Sequence, residues 1–122
     1  MRYVDGFLLA VPRRNLQAYR QMSAKAGRIW REHGALEYRE CVADDLDAKK
    51  AGKTFARGLR LRTDEVVVFS WIVYRSRAHR DRVNKKVMAD PRIEKITPPK
   101  MPFDMKRMAY GGFRTIVDQA NS

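Results

Sequence analysis

Charged residues inside predicted strands and one histidine are the groups of this chain most suited to acid–base chemistry. Asp5 lies in an otherwise apolar stretch, residues 2–11, and Arg39 lies in a second stretch, Ala35–Val42. A carboxylate or imidazole takes a proton from a substrate, and a guanidinium orients an anionic one. We therefore predict Asp5, His33 and Arg39 as candidate catalytic residues. On the second stretch, period-two alternation places Tyr38 and Glu40 on the face opposite to Arg39.

A structural role for the same residues is the alternative. A carboxylate buried in a strand must be paired or hydrogen-bonded. Asp5 would then pair with one of the arginines in predicted strands (Arg39, Arg107 and Arg114) and fix the strand register or a dimer geometry. His33 lies at the end of a predicted helix, where packing and the helix dipole account for an imidazole. Both interpretations remain open at this stage.

Motifs for metal or cofactor chemistry are not found in the sequence. There is no phosphate-binding glycine loop, no HExxH and no nucleophile elbow, so we expect no cofactor and no metal. The single cysteine, Cys41, excludes an internal disulfide and suits a reducing compartment. No apolar run is long enough for a membrane span, and residues 1–6 do not resemble a signal peptide. We predict a cytoplasmic protein with no membrane partner.

The elements that would position these residues follow from apolar periodicity. The length of 122 residues and 44% hydrophobic content predict one domain, residues 1–122. Asn15 is a predicted N-cap and Gly34 the glycine that ends the first helix. Ser76 is a predicted N-cap of the second helix. The predicted elements are a strand at 2–11, a helix from about Asn15 to His33, a strand at Ala35–Val42, a loop at Asp44–Gly52, a weak edge strand at Thr54–Leu61, a strand at Glu65–Tyr74, a helix from Ser76 to about Ala89, an extended loop at 97–102 and a strand at Lys106–Val117.

This order is that of an α+β, ferredoxin-like βαββαβ fold, in which an antiparallel sheet carries two helices on one face. The stretch Glu65–Tyr74 is apolar on both faces, whereas two helices cover only one. No other segment is evident as a cover. We therefore expect the same face of a second copy to pack on it, which predicts an obligate homodimer.

Four blocks of sequence resemble one bacterial family. They are Tyr3–Phe7, Gly34–Cys41, Val67–Ile72 and the region from Met101 to Phe113. In this order they are similar to the YbaA-like family of uncharacterised proteins, which resembles the dimeric α/β-barrel superfamily. That resemblance implies two ferredoxin-like sheets closed into a barrel across a two-fold axis. It implies no reaction.

Members of that superfamily often hold a small aromatic or apolar ligand between sheet and helices, some of them for metal-free oxygenation or isomerisation. In this chain Trp30, Tyr38 and Trp71 are predicted to line such a pocket, with the loop 97–104 as its lid. The alternative is that these aromatic side chains only form the core. Whether the protein is an enzyme is left open.

A strong positive charge favours anionic partners. Twenty-six basic residues against fourteen acidic ones give a net charge of +12. Basic residues concentrate at Lys49–Arg62 and at Arg75–Lys86. Arg77 and Arg80 oppose the dipole at a predicted helix N-terminus, which suggests a bound anion. RNA binding through this surface is therefore the alternative function, and a solubilising surface or a purely structural dimer is a further interpretation.

Overall fold

The computed structural model describes residues 1–46 and 53–120, and four strands within them form one antiparallel sheet. The strand order is β2-β3-β1-β4, which together with the helices gives the predicted α+β, ferredoxin-like arrangement. The strands are β1 (Tyr3–Pro12), β2 (Glu37–Val42), β3 (Glu65–Tyr74) and β4 (Ala109–Arg114). The helices are α1 (Leu16–Glu32), α2 (Phe55–Gly58), α3 (Arg77–Ala89) and α4 (Pro91–Ile96), with 3₁₀ turns at Arg13–Asn15 and Met105–Arg107.

The ends of the long helices follow from local capping. Gly34 adopts φ +117° after α1, and the N–H of Ala35 donates to the carbonyl of Trp30 at 3.0 Å, as in a Schellman motif. The Ser76 hydroxyl accepts from the N–H of His79 at the start of α3. Both predictions are confirmed. Asn15 precedes α1 as predicted, but it makes no capping bond because its side chain donates to the carbonyl of Pro102 at 3.0 Å.

Several other predicted boundaries are wrong. Thr54–Leu61 is not an edge strand, because the Thr54 hydroxyl caps α2 by accepting from the N–H of Arg57. Asp90 and Pro91 end α3 as expected, but they also begin α4. The last strand is shorter than Lys106–Val117, since Asp104 caps a 3₁₀ turn before it. The second strand begins at Glu37 rather than Ala35. Residues 47–52 lie outside the described residues. They comprise most of the predicted loop and include Lys49 and Lys50 of the predicted basic stretch.

The main core lies between the sheet and the long helices α1 and α3. Tyr74 of β3 and Val87 of α3 have no exposed surface, and they pack with Ile29, Ile72 and Val83. A second apolar cluster joins Leu9, Val11, Tyr19 and Val68 beneath the first half of α1. Burial of this apolar area is the main contribution to the stability of the fold.

The helix-free face of the sheet is partly covered by the chain itself. Val67 on this face is buried, and the Phe55 ring of α2 stacks on Phe69 with ring centroids 5.8 Å apart. The expectation that no segment covers this face is therefore wrong for the end near α2. Elsewhere the face remains open, because Phe113 is 60% exposed; Phe69 itself keeps 40% of its surface exposed beside Phe55.

Candidate functional site

The most unusual polar group in the core region is the carboxylate of Glu40, on the helix side of β2. Glu40 lies opposite Ser70 in the β2–β3 register. The Tyr19 hydroxyl of α1 donates to Glu40 Oε1 at 2.6 Å, and the Tyr38 hydroxyl donates to Oε2 at 2.8 Å. The hydroxyls of Ser23 and Ser70 lie nearby and favour the charged form of this carboxylate. Two tyrosines and two serines therefore surround one acid.

Burial dominates the electrostatics of this cluster. It raises the pKa of Glu40 above its ordinary value, although the four hydroxyl groups oppose the shift. Burial also raises the pKa of Tyr19 and of Tyr38, and the neighbouring Glu40 charge adds to both shifts. Glu40 forms no ion pair with any residue in the described ranges 1–46 and 53–120. A buried carboxyl group with a raised pKa and no cation beside it is typical of general acids and bases.

Close packing of α1 on β2 fixes the position of Tyr38. A Cβ at Gly27 of α1 would lie 2.6 Å from the Tyr38 ring, so only glycine leaves room for it. The Trp30 ring lies against Tyr38 with centroids 6.2 Å apart. Trp30 is itself held by its indole N–H, which donates to Asn84 of α3 at 3.1 Å. The tyrosine that contacts Glu40 is therefore held between a helix backbone and a fixed indole ring.

A groove of about 990 Å³ opens beside this cluster, between α1 and β2. A smaller cavity of about 140 Å³ continues inward under α1. Tyr19, Ser23, Tyr38 and Glu40 line both spaces. The groove has an apolar wall from Leu16, Val42 and Val68, and the inner cavity is bordered by Phe7, Leu9, Met22, Phe103 and Met108. The loop predicted as a lid thus contributes Phe103, whose ring contacts Tyr19 edge-on at 5.7 Å.

Asp5 is buried in the helix-covered layer, but its partner is not a strand arginine. Arg80 of α3 donates to Asp5 Oδ1 at 2.8 Å and also binds Asp81 at 2.7 Å. The predicted pairing with Arg39, Arg107 or Arg114 is wrong, because α3 packs near β1 and brings its own guanidinium to Asp5. Burial raises the pKa of Asp5, while Arg80 opposes that shift. The protein itself therefore supplies the anion expected at Arg80.

His33 and Arg39 lie in other parts of the molecule. His33 Nε2 is 2.8 Å from Asp90, whose pKa is lowered by hydrogen bonds from Arg92 and His33. Arg39 lies on the helix-free face, where it donates to Glu37 at 2.9 Å. The structure consequently does not bring Asp5, His33 and Arg39 together into one site.

The remaining predicted site residues divide between the two faces. Tyr38 lines both the groove and the inner cavity as predicted, whereas Trp30 contacts Tyr38 but lines neither space. Trp71 also borders the inner cavity, but its indole N–H donates to Glu37 on the opposite face at 2.8 Å. Arg77 is exposed in the first turn of α3. Cys41 is an exposed free cysteine at the border of the groove.

Glu40 was not among the candidate residues predicted from sequence. The signal that could have found it is the alternation of β2, which places an acid beside Tyr38 on the face toward the helices. Only the packing of α1 adds Tyr19 and Ser23 to that pair. In the part of the chain that the structure describes, no three His, Cys, Asp or Glu side chains are grouped to hold a metal ion. Nor is any helix there long and apolar enough to cross a membrane.

Fold and site together define a small α+β protein with a ferredoxin-like sheet and a groove beside a buried carboxyl group. The chain belongs to the family described as "Protein of unknown function (DUF1428)", whose model matches residues 2–105. It is 47% identical over 119 residues to "Uncharacterized protein YbaA" of Escherichia coli K12, covering 98% of this chain and 100% of that protein. The protein of the same description from Shigella flexneri matches equally. The predicted membership of a YbaA-like family is confirmed.

Solved structures show the same fold at low sequence identity. An uncharacterised NIPSNAP domain protein from Burkholderia xenovorans superposes with a TM-score of 0.62 at 14% identity, covering 98% of this chain and 99% of that chain. Rv0793 from Mycobacterium tuberculosis superposes with a TM-score of 0.55 at 13% identity, covering 99% and 100%. These similarities support the ferredoxin-like fold and carry no statement about activity.

Proposed function

We propose that this protein binds a small aromatic or carboxylate-bearing organic ligand in the groove between α1 and β2, where Glu40 exchanges a proton with it. The observation that carries this proposal is the Glu40 carboxylate, hydrogen-bonded by Tyr19 and Tyr38 and bordering a space of about 990 Å³. A groove of this size holds a drug-sized molecule, and an apolar wall with a few convergent polar groups is typical of ligand sites.

Metal-free isomerisation is the reaction that this arrangement suits best. Glu40 removes the proton from a carbon beside a ligand carbonyl, and the C–H electron pair becomes the double bond of the enol. The carbonyl oxygen takes the proton of the Tyr38 hydroxyl. Glu40 then returns its proton to Tyr38 along their 2.8 Å hydrogen bond, so no cofactor is consumed. The same base would deprotonate a phenol if dioxygen were the second substrate, as an oxygenase requires.

A tautomerisation assay tests this proposal. We expect the protein to accelerate the enol–keto conversion of an arylpyruvate, followed by ultraviolet absorbance. Glu40→Gln removes the base with little change of shape and should lower the rate at least 100-fold, the lower bound usual for a general base. Glu37→Gln, on the same strand but facing away from the groove, should keep the rate.

A thermal-shift screen of phenols and keto acids accompanies the assay. A stabilising compound whose effect is weakened by Glu40→Gln supports the proposal even if the arylpyruvate is not the substrate. If no compound of a broad library binds the wild-type protein, the proposal is wrong.

The reaction proposed at Glu40 does not use Asp5, His33 and Arg39, the three catalytic residues predicted from the sequence. Each is bonded to a charged side chain of the protein, which favours positioning roles: Asp5 ties β1 to α3, and His33 ties the end of α1 to Asp90. Asp5→Asn and His33→Gln should therefore leave the tautomerisation rate within threefold of wild type. The predicted lid role of loop 97–104 rests on Phe103 at the inner cavity.

We further propose that the open half of the helix-free face packs on a second copy, giving the homodimer and barrel expected from the sequence. Supporting this, the face exposes Phe69 and Phe113 beside the half-buried Trp71. Clustered exposed aromatic side chains of this kind mark interfaces. Sedimentation should show a dimer at micromolar concentration. Phe113→Glu should yield monomers, whereas Met88→Glu, similarly exposed at 63% against 60% but on α3, should not. A monomeric wild-type protein contradicts this proposal.

RNA binding through α3 is the second candidate function. Five basic side chains of this region are exposed and form no ion pair within the described chain: Arg75, Arg77, Arg82, Lys85 and Lys86. Phosphate contacts of this kind give affinity that falls steeply with salt. A gel shift with structured and single-stranded RNA at physiological salt tests it, and no complex at micromolar protein would exclude it.

The exposed free Cys41 supports the proposed cytoplasmic location.

A further inference from the structure

The rim of the groove carries a row of arginines on α1. Arg20, Arg28 and Arg31 follow one another along one face of the helix, and Arg13 lies at the end of the groove near β1. All four are exposed. Among the described residues that line the groove, Glu40 is the only acid. The rim is therefore positively charged, whereas the wall is apolar.

Protein carboxylates do not neutralise this row. Arg20 and Arg28 have no ion-pair or hydrogen-bond partner for their side chains within residues 1–46 and 53–120. Glu32, the nearest acid on α1, is instead bonded to Arg92 of α4 at 2.7 Å. Arg28 and Arg31 lie three residues apart, a spacing at which like charges repel. The helix dipole accounts for Arg31 in the last turn but not for Arg20 in the second.

Arg31 lines the groove, and its side chain is held by the backbone just before β2. Its Nη1 donates to the carbonyl of Ala35 at 2.6 Å and to that of Leu36 at 2.8 Å. These bonds leave the other guanidinium nitrogen atoms open to a ligand. An arginine fixed in this way loses little side-chain entropy when it binds an anion.

We infer that the ligand of the groove carries a carboxylate, which the guanidinium row of α1 binds at the rim while an apolar body lies against Leu16 and Val68. This inference rests on the proposed ligand site and adds the chemical class of the ligand. The residues at the rim and those at the floor of the groove then have different roles. The arginines hold the carboxylate at the rim, and Glu40 meets uncharged atoms deeper in the groove, because a carboxylate directly beside Glu40 would be repelled.

A matched pair of fluorescent probes tests the inference. 3-Hydroxy-2-naphthoate carries the carboxylate, and 3-hydroxy-2-naphthamide replaces it with a neutral group of similar shape. We expect the naphthoate to bind at least tenfold more tightly than the amide in a fluorescence titration at low salt. The double variant Arg20→Gln/Arg28→Gln should reduce this preference to less than threefold, without changing the affinity for the amide.

The control removes the same total charge elsewhere. Lys25→Gln/Lys95→Gln changes two exposed basic residues that do not line the groove, and it should keep the full preference. If both double variants lose the preference for the naphthoate equally, the overall charge of the protein attracts the anion and the inference is wrong. Equal wild-type affinities for naphthoate and amide overturn the inference but leave the ligand site in place. If neither probe nor any library compound binds, the ligand site itself is refuted.

Discussion

Substitution of Gly27 by alanine tests whether the backbone of α1 fixes the Tyr38 ring beside Glu40. The added Cβ would lie 2.6 and 2.8 Å from two carbons of that ring, inside van der Waals contact. Because this neighbour is a ring held between α1 and Trp30, it cannot move aside without leaving Glu40. We therefore expect the substitution to displace Tyr38 and to break its 2.8 Å hydrogen bond.

The magnitude follows from three opposing effects. Alanine in a helix interior is more favourable than glycine by about 1 kcal/mol. Overpacking of a filled site costs about 1–3 kcal/mol. Loss of a hydrogen bond to a charged group costs a further 1.5–3 kcal/mol or so. The balance is a loss of about 2 kcal/mol or more, which corresponds to a fall in Tm of roughly 8 °C for a chain of this size.

Urea unfolding followed by circular dichroism measures this loss directly. Gly58→Ala is the matched control, since a Cβ there has no neighbour within 4 Å. We expect the control to change the free energy of unfolding by less than about 0.5 kcal/mol, as surface substitutions usually do. If Gly27→Ala is as stable as the wild type, the contact between α1 and Tyr38 is not as described, and the geometry of the Glu40 site fails with it.

Three further substitutions probe the charged groups. Burial raises the pKa of Glu40, so the folded protein holds this proton more tightly than the unfolded chain does. The resulting contribution to the free energy of unfolding is full below the ordinary pKa of 4.5 and is lost as pH rises through the folded-state pKa. Glu40→Gln should remove this loss in unfolding measured across pH 4 to 8, and a variant profile parallel to that of the wild type would contradict the shift. Arg80→Gln leaves Asp5 buried without its cation, so we expect about 3 kcal/mol of destabilisation at neutral pH. The loss should be smaller at low pH, where Asp5 is protonated. The control variant Arg82→Gln should cost less than about 0.5 kcal/mol. Arg107→Gln removes the guanidinium that bonds Glu65 at 2.6 Å and also bonds the carbonyls of Leu59 and Arg60. Amide hydrogen exchange should accelerate around Leu59 and Arg60 and remain unchanged in α1. An unaltered exchange rate at residues 59–60 would show that Arg107 does not hold this segment.

The elements that the sequence predicted well are those whose pattern is local. Period two over Glu65–Tyr74 and the glycine after His33 each specify an element within a few residues, so β3 and the end of α1 were predicted correctly. The short helices α2 and α4 were missed because capping by Thr54 and Asp90 outweighs a weak apolar pattern.

The candidate site was harder to predict because its contacts join distant parts of the chain. Asp5 was correctly expected to be buried and paired, but Arg80 lies far along the sequence and only the packing of α3 brings it near. Tyr38 and Trp30 were predicted at the pocket, whereas Glu40 was not chosen. Its significance depends on Tyr19 and Ser23 of α1, and alternation along β2 does not reveal that contact.

The most direct test of the site is chemical-shift mapping of the isotope-labelled protein during titration with 3-hydroxy-2-naphthoate. We expect the largest backbone amide shifts at Ser23 and Gly27 of α1 and at Glu40 of β2, saturating together at one site per chain. Shifts concentrated instead on α3 between Arg77 and Ala89, or around Phe69 on the helix-free face, would contradict a ligand site between α1 and β2.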